Sequence, residues 1–212
     1  MKILALEFSS PMRSVAVRRD GAKCGYAEES GTREAKPFAI IDAALTEAGI
    51  SRAEIECIAV GLGPGSYAGI RIAIAIAQGW QLARGVKVLG ISSADLVAAQ
   101  AGQSRVKNPV FVGVEAQRGE LYAARYDVSV FDHPRLVEPF RVVGEEQVKG
   151  IFRMDWLPGF ESPDGVACVP KADFLALLAA RRSNFVPGSA LEPIYLRQLE
   201  FVKAPPPRIF TM

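Results

Sequence analysis

Residues Ile3 to Phe8 are nearly all apolar, which predicts a buried strand. Ser14-Val15-Ala16-Val17-Arg18 alternates, Lys23 to Glu28 alternates more weakly, and Asp20-Gly21 between them is a hairpin turn. Three strands therefore open the chain. A polar stretch, Glu29 to Lys36, leads to Pro37, which suits the first turn of a helix, where the amide it lacks would have no helical partner. Phe38, Ile41, Leu45 and Ala48 then recur at helical spacing, and Gly49 closes the segment. Glu56 to Leu62 is a second core strand. Beyond it, Ile70 to Ile76 alternates like a strand, yet the run to Arg84-Gly85 is long enough to favour a helix over about 68–84. Its apolar surface goes nearly all the way round. Such a helix is buried within a domain or covered in part by a partner. Val86 to Ile91 reads as a strand, and Ser92-Ser93 caps a helix running toward Ala101.

A second block starts with Pro109 to Val114, turns at Gln117-Arg118-Gly119-Glu120 and returns through Leu121 to Tyr126. The pattern then weakens. It predicts a short helix over Glu145 to Phe152 and a better one over Pro170 to Arg182, with Phe174, Leu177 and Leu178 on one side. Pro205-Pro206-Pro207 excludes a helix from the end. The order of elements is α/β with a mixed sheet. A polar stretch, Gly102 to Asn108, is the natural boundary between an N-terminal lobe, 1–104, and a C-terminal lobe, 105–212.

Charge and composition narrow the function. The chain has 212 residues, Lys+Arg 25 against Asp+Glu 23, and a net charge of +2. Neither half is a basic module, so tight direct nucleic-acid binding has no support from net charge. No apolar run reaches the roughly 18 residues of a membrane span, and Glu7 interrupts the opening apolar stretch, so neither a span nor a secretory leader is expected. There is one histidine, His133, in a polar stretch beside Pro134. Cys24, Cys57 and Cys168 are dispersed. No metal motif can be written from these, and the thiols fit a reducing compartment. Trp80 and Trp156 suit packing rather than base stacking. A peptidase would have to use Ser9, Ser10 or Ser66, and nothing places a base beside them.

The most informative segment is Gly61 to Ile74. A glycine-rich loop before a helix N-terminus offers free amides and a favourable dipole to an anion. Gly63, Gly65 and Ser66 are thus phosphate-loop-like. Specific nucleotide patterns fail: Ser66 stands where GxGxxG needs glycine, no lysine follows, and Pro64 and Ala68 break GxSxG. The alternative is a tight turn that lets strand and helix approach. Within the helix, Gly69, Ala73 and Ala77 form a smooth ridge flanked by Ile70 and Ile74. Phe38, Ile41 and Leu45 lie on the preceding helix. If both helices cover one face of the sheet, these residues are either core or an interface with a second protein. Ala73→Arg would test the interface.

Gly63-Pro64-Gly65-Ser66-Tyr67-Ala68-Gly69-Ile70-Arg71 closely resembles the GPGS[FY]TG[LI]R signature of the bacterial TsaB (YeaZ) proteins. Leu4 to Ser10 resembles the family's opening LAIDTST, Gly90 to Ser93 its GVSSL, Glu115 to Tyr122 its DARRGEVY, and Ala190 to Arg197 its closing PLYLR. The resemblance implies an actin-like ATPase (ASKHA) fold of two RNase-H-like lobes with mixed sheets. It implies a non-catalytic, cytoplasmic scaffold subunit in the synthesis of threonylcarbamoyladenosine beside the tRNA anticodon. Such a subunit pairs with the catalytic TsaD subunit through its first two helices and engages the TsaE ATPase. It meets tRNA only through the complex, dimerises when alone, and binds no cofactor by itself. Departures are Glu7 and Phe8 where the family has Asp-Thr, Glu115 for the Asp of DARRG, Ala68 for Thr, and no His before the first long helix. These weaken the alternative of a stand-alone ATPase or sugar-kinase-like enzyme. Arg71 and Arg118 would contact a partner, a phosphate or solvent, and Tyr195 and Arg197 the core or a partner.

Overall fold

A computed structural model describes residues 1–30, 36–104, 107–117, 120–144, 147, 149–154, 161–162 and 165–196. In the first of two mixed sheets, β1 (Lys2–Glu7) pairs antiparallel with β2 (Met12–Arg19), and β2 with β3 (Ala22–Ser30). On the other side of β1 lie β4 (Cys57–Gly61) and then β5 (Lys87–Ile91), both parallel to it. The order is β3-β2-β1-β4-β5. Asp20 and Gly21, at φ 48 and 86°, form the left-handed turn between β2 and β3.

Helices α1 (Pro37–Ala48) and α2 (Tyr67–Arg84) cover one face of this sheet, and α3 (Ser93–Gln103) and α4 (Ala172–Ala179) the other. Strand alternation sorts the two cores. Leu4, Leu6, Ile58 and Val60 pack toward α1 and α2, while Ile3, Ala5, Cys57 and Ala59 pack toward α3 and α4. Burial on both faces is why β1 is an unbroken apolar run. Gly49 and Gly85, both left-handed, end α1 and α2, and the Ser92 hydroxyl caps α3 by accepting from the Ala94 amide.

In the second sheet, β6 (Val110–Gln117), β7 (Glu120–Asp127) and β8 (Arg135–Gly144) form an antiparallel meander. Next to β6 lie β9 (Ile151–Arg153) and β11 (Gly165–Ala167), both parallel, with β10 (Glu161–Ser162) at the edge. The order β8-β7-β6-β9-β11 repeats that of the first sheet in neighbours and directions. The molecule is therefore the two-lobed actin-like fold. Between the sheets, α3 is buried on both sides: Leu96 and Ala99 join the first core, Ala94, Val97, Ala98 and Ala101 the second.

Three expectations change. Residues 151–153 are a strand paired with β6, not the end of a helix; Gly150 before them has a left-handed φ of 65°. The strand β8 was not foreseen. The C-terminal segment returns to the first lobe, where α4 packs on its sheet and Gly188 bonds to Gln78 and Gln81 of α2. A boundary at 104/105 thus divides the sheets but not the packing. Arg118, Trp156, Arg197 and the Pro205–Pro207 tail lie outside the described residues.

Candidate functional site

The loop from β4 to α2 lies directly on the end of β1. A Cβ at Gly65 would come within 2.1 Å of the Ser9 carbonyl oxygen, and one at Gly69 within 2.0 Å of the Phe8 carbonyl oxygen. A Cβ at Gly61 would meet Glu7 Oε2 at 1.9 Å. At Gly65 and Gly69 glycine is required because backbone packs on backbone, whereas at Gly61 the Glu7 carboxylate fills the space. The same closeness occupies the amides. Ser66 N–H donates to Ser9 O at 2.6 Å, Gly63 N–H to Ser93 Oγ at 3.0 Å, and Gly69 N–H to the capping Ser66 Oγ at 3.3 Å.

Glu7, the last residue of β1, is fully buried. Its Oε1 accepts from the Ser9 amide at 2.8 Å and its Oε2 from the Ser93 hydroxyl at 2.9 Å. Burial pushes its carboxyl up to about 7, against the pull of the Ser9 and Ser93 bonds. Since Ser93 Oγ also accepts from Gly63, a relay runs from the glycine loop through the start of α3 to the end of β1. Beside it, the buried Ser9 hydroxyl has no hydrogen-bond partner.

On the solvent side, α1 and α2 together form an apolar groove of about 580 Å³. Phe38, Ile72, Ala75, Ile76, Gly79 and Trp80 line it, flanked by Arg52 and Arg84. Phe38 is 53% exposed. Gly79 makes a notch, since a Cβ there would have nothing within 4 Å. Contiguous exposed apolar surface of this kind marks an interaction site.

Residues 36–136 match the family described as TsaD, tRNA N6-adenosine threonylcarbamoyltransferase. The tRNA threonylcarbamoyladenosine biosynthesis protein TsaB of Escherichia coli (strain K12) is 33% identical over 129 residues, 59% of this chain and 55% of that protein. Its counterpart in Buchnera aphidicola subsp. Schizaphis graminum is 31% identical over 125 residues, 58% of this chain and 60% of that protein. The chain spans little more than half the length of these curated relatives. Against the solved structure of YeaZ from Pseudomonas aeruginosa the TM-score is 0.75 at 26% identity, covering 92% of this chain and 99% of that one. Together the TsaB homologues and the YeaZ structure support the TsaB (YeaZ) family for this chain.

The actin-like fold would place a nucleotide and its metal in the cleft, and here several of the donors and acceptors nearest Glu7 are already engaged within the protein. Both Glu7 oxygens hold protein donors, and the amides of Gly63, Ser66 and Gly69 are already bonded. Among the described residues no three His, Cys, Asp or Glu side chains gather as a metal site. None of their helices is long and apolar enough to cross a membrane.

The structure places most of the expected interface residues in the core. Ile41, Leu45, Gly69, Ile70, Ala73, Ile74 and Ala77 are all buried, the side chains among them packed into the core of the first lobe. Of the expected set only Phe38 reaches the groove. The small residues of α2 face inward, where they let the helix sit close to β1 and β4. Ala73→Arg would therefore bury a charge in the core and report on folding. Ile72, Ile76, Gly79 and Trp80, which line the groove, were not singled out from the sequence as a surface. They form the complementary stripe of the same helix, and an apolar stripe left over after the core face is assigned was the available signal.

Proposed function

We propose that this chain is a non-catalytic scaffold subunit in tRNA threonylcarbamoyladenosine biosynthesis. It docks the groove between α1 and α2 onto a TsaD-like catalytic subunit and engages a TsaE-like ATPase within the assembly. On its own it pairs with a second copy through the same face and binds no cofactor, and its place is the cytoplasm. The observation that carries this reading is the groove itself: a two-helix apolar face open to solvent, in a chain whose Gly63, Ser66 and Gly69 amides are already bonded. The names of the relatives support the pathway, and the engaged loop amides support the scaffold role.

The test is co-purification with the TsaD homologue of the same genome, with mass measured by light scattering after gel filtration. A one-to-one heterodimer is expected. Ala75 lines the groove and is exposed, so Ala75→Arg should leave the fold intact and weaken the pair by about 2 kcal/mol or more, the effect of a blocked hot spot. Undiminished binding by Ala75→Arg would remove the groove from the interface. Failure to pair, with nucleotide and the ATPase present, would sink the scaffold role.

A further inference from the structure

Outside the groove, where the glycine loop enters α2, lies an exposed aromatic cluster. Tyr67 opens α2, and Tyr195 sits in the C-terminal segment, next to Ile194, whose amide bonds to Leu62 O at 2.8 Å. The two rings lie 5.5 Å apart at 39°, and the residues are 52% and 56% exposed. Arg71, one turn along α2, donates to the Tyr67 hydroxyl at 2.5 Å and holds its guanidinium 5.1 Å from the Tyr67 ring centroid. None of the three lines the groove.

The contacts among the three groups hold the rings in place, so a planar guest would find them preorganised. Tyrosine faces and arginine planes stack on unpaired bases, and the guanidinium also balances a backbone phosphate. Protein hot spots sit instead at the centre of desolvated pockets, which here is the groove. We infer that Tyr67, Tyr195 and Arg71 form a stacking site for an unpaired base of an RNA loop. This rests on the reading of the chain as part of a tRNA-modifying assembly, and assigns it a direct contact with that RNA. With a net charge of only +2, the contact rests on stacking and on Arg71 rather than on a broad basic face.

The experiment titrates a labelled RNA hairpin with an unpaired loop, and separately a blunt duplex of the same stem sequence, with the full chain alone and with its TsaD-like partner. Fluorescence anisotropy reads binding. The hairpin should bind more tightly than the duplex. Tyr67→Ala and Tyr195→Ala should each weaken hairpin binding at least about fivefold, the loss of one stacked base, while Tyr67→Phe keeps the ring and most of the affinity. Equal binding of hairpin and duplex, alanine variants that bind like the parent, or no hairpin binding in either state would each overturn the site. Heterodimer formation is measured on the same samples. An alanine variant that loses the protein partner instead of the RNA makes the cluster a protein contact and overturns the inference, while the scaffold reading stands. A parent chain that never pairs sinks the scaffold reading whatever the hairpin does.

Discussion

Glu7→Gln tests the buried relay by its pH dependence. The carboxyl is fully buried and titrates near 7 in the folded protein against a usual 4.5. Between those values the folded chain holds a proton that the unfolded chain has released. Stability from this group is therefore complete below about pH 4.5 and is lost as pH rises through 7. Each unit is about 1.4 kcal/mol, so the loss across the window approaches about 3 kcal/mol. Glutamine keeps the shape, still accepts from the Ser9 amide, and does not titrate. Urea unfolding of parent and variant, extrapolated to water at a series of pH values, gives the assay. The variant's stability relative to the parent should rise by about 3 kcal/mol from pH 4.5 to above 7, whatever the constant offset from the changed Ser93 bond. Groups distant from the relay, such as the exposed His133, cancel in the difference. A flat difference would mean that the donors from Ser9 and Ser93 fully offset the desolvation, and the claim of a raised carboxyl would be wrong.

Gly69→Ala, whose Cβ would press on the Phe8 carbonyl at 2.0 Å, should lower stability by about 1–3 kcal/mol, read as a lower melting temperature. Gly79→Ala has open space around it and should do the opposite, raising stability by roughly 0.5–1 kcal/mol through helix propensity while filling the notch and weakening the heterodimer in the same gel-filtration assay. Asp95 accepts from the Tyr126 hydroxyl at 3.1 Å and from Arg182 at 3.0 Å, joining the second sheet to the end of α4. Asp95→Asn keeps one acceptor but loses the charge, and should cost about 1–2 kcal/mol in chemical denaturation.

Much of the first lobe was legible because each element carries its own stop. Asp20-Gly21, Pro37, Gly49 and Gly85 each mark an end, and the doubly buried strands leave continuous apolar runs. The second lobe is less legible. β8 is an edge strand that pairs only with β7 and exposes most of its residues, so nothing requires an apolar face, and Pro139 breaks what pattern there is. β9, β10 and β11, at two or three residues each, are too short to show a period. Ile151 and Phe152 looked like the end of a helix, whereas pairing with β6, a non-local contact, makes them strand. For the site, the glycines marked a loop packed closely on β1, but not what its amides bond to, because an amide's partner across the fold leaves no mark in the local sequence. The direction of α2 was misjudged for a related reason. A helix apolar nearly all round gives no preferred face, and small residues permit close approach to a sheet as readily as to another protein.

The occupied loop and the open groove are two sides of one packing decision. Gly65 and Gly69 let the start of α2 drop onto the Phe8–Ser9 backbone, closer than any side chain would permit. That contact occupies the Ser66 amide and sets Gly63 against Ser93, which takes two donors of the loop out of reach of an anion. It also fixes the rotation of α2. With Gly69, Ala73 and Ala77 turned inward, helical geometry turns Ile72, Ile76 and Trp80 toward the outer side next to Phe38. A larger residue at Gly69 would lift or rotate the helix and change both features together. Gly69→Ala should therefore disturb partner binding as well as stability, whereas Asp95→Asn, which touches neither the loop nor α2, should affect stability alone.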